Sequence, residues 1–103
     1  MNAEVNAPVD VLLKSVHVII SGRVQGVWFR GWTKKQAHSL NIRGWVRNRR
    51  DGTVEPVFAG VPDDVDAMLA KCWKGPPVAS VKAVRVEPAE VPKKMDFVDL
   101  PTV

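Results

Sequence analysis

In the stretch Gly22-Arg23-Val24-Gln25-Gly26-Val27-Trp28-Phe29-Arg30, two glycines flank three residues, and an arginine stands four places beyond the second glycine. Glycine tolerates positive φ, so such a stretch can turn tightly and aim successive backbone amides at one point. Where a loop of this kind follows a strand and opens a helix, the helix start adds partial positive charge. A phosphate can then be held almost wholly by main-chain N–H groups. Arg30 falls in the first helical turn, where its planar guanidinium can bind phosphate oxygens in pairs, which a lysine ammonium cannot do. No Gly-Lys-Ser/Thr follows, so this is not a Walker A sequence and nucleoside triphosphate hydrolysis is disfavoured. Alone, a Gly-x-x-x-Gly turn is weak evidence, because glycines commonly serve plain packing turns.

A second polar position gains meaning from periodicity. Strand alternation sets Ile42, Val46 and Asn48 on one face, which makes Asn48 a carboxamide at the end of an apolar row. Its plain alternative is a strand-end residue that satisfies local backbone. Arg43, Arg47, Arg49 and Arg50 crowd one segment and Arg23 and Arg30 another; if the two meet, they form an anion-attracting mouth. His17 and His38 have no Cys, Asp or Glu at metal-ligand spacing, so no metal site is expected. Cys72 lies on an apolar helical stripe and reads as a buried, inert thiol. Trp28, Trp32, Trp45 and Trp73 could stack on bases, but anchoring a small core or rimming a pocket is the simpler role for most.

The elements that must position these residues follow from pattern. Residues 1–13 hold two Asn, one Pro and no periodicity, and read as a flexible extension before a domain spanning 14–103. Ser15 to Gly22 is a Val- and Ile-rich strand. Phe29, Thr33, Ala37 and Leu40 recur at helical spacing, with Asn41 placed to stop the helix in the left-handed region. Ile42 to Arg49 and Val54 to Ala59 form a hairpin about Asp51-Gly52. Pro56 inside the returning strand implies either a sheet edge or a bulge. Asp63, Asp64 and Asp66 open a second helix whose inner stripe is Val65, Met68, Leu69 and Cys72, and Gly75-Pro76-Pro77 ends it. Val81 to Val86 alternates as a last main strand, and Phe97-Val98 adds a short piece. Strand, helix, strand, strand, helix, strand is the α+β, ferredoxin-like βαββαβ plan, an antiparallel sheet with two helices on one face.

The chain has 103 residues, enough for one domain with a single core and no staples. Charged residues make up 25% and apolar ones 46%, as in ordinary globular proteins rather than disordered or membrane ones. The start has acidic residues and no basic region leading into an apolar core, so neither secretion nor a membrane partner is expected. A single cysteine fits a reducing, cytoplasmic setting. The net charge of +4 favours anionic ligands without choosing among them.

Gly22 to Arg30 and Gly44-Trp45-Val46-Arg47-Asn48, with Asp51-Gly52-Thr53-Val54-Glu55 after them, resemble the two signature segments of the acylphosphatases. The similarity runs on through Gly60 and the Gly75-Pro76-Pro77 stop, over roughly residues 15 to 88. It implies the ferredoxin-like fold, a small-molecule acylphosphate substrate, inorganic phosphate as product and inhibitor, no cofactor, no specific nucleic acid and a monomer. It also implies that Arg30 binds phosphate, that Asn48 holds the attacking water, and that amides of Arg23, Val24, Gln25, Gly26, Val27 and Trp28 form the cradle. Thr33 matches a threonine that supports the site, and Gly22 stands with it behind the cradle. Departures are Asn41, where many relatives have Gly, Pro56, where a small residue is common, and an end that lacks the basic residues of some members. The rival reading is a catalytically inactive anion- or RNA-binding ferredoxin-like module, for which the aromatic-rich RNP pattern is missing.

Overall fold

The computed structural model describes residues 13–103, so the extension expected over 1–13 lies, apart from Leu13, outside the described residues. The elements are β1 (Lys14–Arg23), α1 (Phe29–Ser39), β2 (Arg43–Asn48), β3 (Val54–Gly60), α2 (Pro62–Lys74), β4 (Ser80–Pro88) and β5 (Phe97–Asp99). The strands make one sheet in the order β4-β1-β3-β2-β5. Pairing is antiparallel from β4 through β2, and β5 joins β2 in parallel. The ferredoxin-like plan therefore holds, with the piece expected at Phe97-Val98 serving as a fifth strand that makes the sheet mixed.

Period-two alternation buries Val16, Val18 and Ile20 of β1 with Val46 of β2 and Val54 and Phe58 of β3. Against this row pack Phe29 and Ala37 of α1 and Val65, Met68 and Cys72 of α2. Phe97 is fully buried and stacks on Phe58 with ring centroids 5.8 Å apart, which fastens the short β5 to the core. α1 stops where expected. Asn41 takes φ 55, Ile42 N–H bonds the Ala37 carbonyl at 2.9 Å and Asn41 N–H that of His38 at 3.3 Å, the paired closure of a Schellman end. α2 starts with Pro62 in the first turn and two acidic residues, Asp63 and Asp64, at the positive end of its dipole. Among the described residues no helix is long and apolar enough to cross a membrane.

Two strand expectations need correction. Pro56 is neither at an edge nor at a register shift: β3 is central, and its pairs with β1 pass from His17↔Val57 to Ile20↔Val54 in unbroken register. The gap in that ladder falls at Pro56 and its neighbour, while Val46↔Pro56 pairs normally on the β2 side. In β4 simple alternation fails. A bulge at Ser21/Gly22 pairs Ser21 with Ala83 but Gly22 with Val81, and the two inward residues are Val81 and Val84, three apart.

Candidate active site

That bulge is where the site begins. At Gly22 φ is 121° and a Cβ would sit 2.3 Å from the Ser80 carbonyl oxygen, so only glycine lets β1 turn out of the sheet so close to β4. The loop leads to Trp28, which caps α1 in the left-handed region at φ 65, a conformation costing a non-glycine residue about 1–2 kcal/mol. Trp28 is 65% exposed, and its indole lies over Gly31, where a Cβ would come 2.2 Å from Nε1. Among the described residues no side chain caps α1, and no acidic residue stands in its first turn. The first-turn amides, which lack intrahelical partners, and the positive end of the helix dipole are thus not taken up by either.

A cavity of about 370 Å³ opens at this helix start. The loop contributes Val24, Gln25, Gly26 and Trp28, α1 contributes Phe29, Arg30 and Gly31, and the sheet contributes Asn48 and Asp99. Arg30 and Asn48, the two side chains singled out in the sequence, therefore face one pocket. Asn48 gets there because it shares a face with Val46 at the end of β2, on the helix side of the sheet. Residues 100–103 run alongside β2 and hold its end. Leu100 N–H bonds the Val46 carbonyl at 2.8 Å, Val103 N–H bonds the Asn48 carbonyl at 3.2 Å, and Arg50 N–H bonds the Val103 carbonyl at 2.7 Å.

Gln25 does something its backbone amide did not suggest. Its Nε2 donates to the carbonyls of Arg49 and Thr53, both at 2.8 Å, and so clamps the loop to the β2–β3 hairpin. Of the other residues expected in the cradle, Val27 is buried in the core and Arg23 is exposed at the end of β1, and neither lines the pocket. Gly22 forms the bulge, and Thr33 is buried in α1 with no hydrogen-bond partner for Oγ1 among the described residues. Sequence reasoning missed Asp99 and Gly31. A lone Gly inside a helical pattern is a signal of close packing; for Asp99 no local pattern existed, because its place depends on β5 pairing parallel to β2.

The two arginine-bearing segments do not line one mouth. Of their six arginines only Arg30 lines the pocket. Arg47 Nε and Arg49 Nη1 instead bond Glu55 Oε1 at 2.7 and 3.1 Å, and His17 Nε2 lies 2.5 Å from Oε2. Burial pushes the Glu55 carboxyl up, but Arg47, His17 and Arg49 together outweigh it and hold the group down at about 2. Arg43 donates to the Pro92 carbonyl at 3.2 Å, and Arg47 also stacks over Trp45 at 4.8 Å. Two arginines of that segment, Arg47 and Arg49, are thus engaged with a buried carboxylate. Trp73, by contrast with Trp32, is exposed rather than a core anchor.

The sequence profile of the family Acylphosphatase matches residues 16–98 of this chain. The chain belongs to the acylphosphatase family. An acylphosphatase from Rhodospirillum rubrum is 50% identical over 91 residues, covering 88% of this chain and 100% of that protein. The solved acylphosphatase of Coxiella burnetii superposes with a TM-score of 0.84 at 38% identity, covering 87% of this chain and 95% of that one. A stretch of full-length HypF shares the acylphosphatase fold, with a TM-score of 0.81 at 24% identity over 12% of its chain and 87% of this one.

Proposed function

We propose that the chain hydrolyses acylphosphates to a carboxylate and inorganic phosphate by in-line attack of a water oriented by Asn48. Arg30 and the amides of the Gly22–Arg30 loop hold the phosphoryl group. The observation that supports this most directly is the convergence of Arg30, Asn48 and an uncapped helix start on one pocket. An acylphosphate expels a carboxylate, a weak base at neutral pH, so departure needs no general acid and no metal. Phosphoryl transfer spreads charge over the equatorial oxygens, and fixed amides with one guanidinium are suited to that charge. A neutral carboxamide has no pKa suited to proton abstraction, and Asn48 acts by aiming the water, with the carbonyl end accepting its hydrogen.

The reading takes the chain to act as a monomer, and the cytoplasm is the compartment that fits a lone buried cysteine. Inorganic phosphate, the product, competes for the same cradle. The test is turnover of benzoyl phosphate in the presence of a chelator. Arg30→Lys and Asn48→Ala are each expected to lower kcat/KM by roughly a hundredfold or more. Full turnover by either variant, with native circular dichroism, would overturn the assignment.

A further inference from the structure

Among the described residues lining the pocket Arg30 is the only cation and Asp99 the only carboxylate. An acidic side chain is out of place in a cradle built for an anion, yet Asp99 Oδ1 lies 3.5 Å from Arg30 Nη1. Its position is imposed by backbone: Asp99 sits opposite Val46 in the parallel β2–β5 pair, and Leu100 N–H is tied to the Val46 carbonyl. Both side chains are accessible, Arg30 39% and Asp99 38%, so solvent screens the pair and its separation costs little.

We propose that Asp99 is the resting counter-ion of Arg30, a positioning residue that keeps the guanidinium aimed into the pocket and yields it to the incoming phosphoryl group. This rests on the reading of Arg30 as the phosphate holder. A bound phosphate and the Asp99 carboxylate compete for one cation, so every phosphate, substrate or product, is held more loosely than the cradle alone would hold it. Loosening of this uniform kind raises KM and the inhibition constant of phosphate together, and it hastens departure of the product. A carboxylate that only braced β5 would have no such effect on anion affinity.

The experiment measures inorganic phosphate binding by calorimetry and its competitive inhibition of benzoyl phosphate hydrolysis, in the parent chain, Asp99→Asn, Asp99→Ser and Asp99→Glu. Loss of the charge is expected to tighten phosphate roughly three- to tenfold at low ionic strength, with the gain shrinking as salt is added. KM falls in parallel without a rise in kcat, and Asp99→Glu keeps the parent values. Unchanged or weaker phosphate binding in whichever of the Asn and Ser variants folds overturns the inference, while parent turnover leaves the acylphosphatase reading in place. Tightened phosphate binding with no turnover by the parent chain does the reverse.

Discussion

Thr33 is fully buried, and its Oγ1 has no hydrogen-bond partner among the described residues. An unpaired buried hydroxyl costs about 1–3 kcal/mol, so Thr33→Val, which keeps the shape, is expected to raise the melting temperature by roughly 4–8 °C per kcal/mol recovered. A calorimetric scan checks the gain, and a fall in kcat in the same variant would show that the hydroxyl serves the site despite its cost. Trp28 stores a similar cost in its backbone, held at φ 65 at the mouth of the pocket. Nothing in the local sequence announces that strain, since glycines stand at 26 and 31 and a turn could have used either. Asn41 was legible because a left-handed helix stop is a local event with a local residue preference.

At the scale of elements, the Gln25 clamp matters more than its single residue suggests, because it spans from the Gly22–Arg30 loop to the hairpin that carries Asn48. Gln25→Ala removes both bonds of the clamp, although the Arg49 carbonyl still accepts from Gly52 N–H and the Thr53 carbonyl from Arg49 N–H. It is expected to lower stability by about 1–3 kcal/mol and kcat more than KM, as the halves of the pocket that carry Asn48 and Arg30 drift apart. Urea unfolding and steady-state kinetics on the same preparation check both; an unchanged kcat would show that the halves are held together by other contacts. The hairpin itself was readable from Asp-Gly, and the structure adds the Asp51 carboxylate accepting from Thr53 N–H at 3.0 Å. β4 was harder. Its alternation was a sound local rule broken by a partner's bulge, and Pro56 was misplaced because a central strand can leave one ladder unpaired while keeping the other. Both facts live in pairing between strands, which a single segment does not contain.

For the whole molecule, the open face of the sheet is organised around one charge. Glu55, 4% exposed, is held at about 2 against an ordinary 4.5, so its stabilising contribution is fully present above pH of about 4.5 and disappears as pH falls through about 2. Each pH unit of that displacement corresponds to about 1.4 kcal/mol, so several kcal/mol are at stake. Melting temperatures of the parent chain and Glu55→Gln, followed across this range, are expected to converge at the acid end; parallel curves would contradict the linkage. Fold class and the placing of Arg30 and Asn48 on one pocket were legible in two long segments, whereas Asp99 arrives only through chain topology. After β4 the chain travels from one margin of the sheet to the other, bonding Ser15 and Arg43 on the way, before β5 docks. The link from β4 to the strip that supports Asn48 thus passes over exposed Lys93 and Lys94. One cut there by a trypsin-like protease would leave four paired strands standing and sever from them the strip that bonds the end of β2.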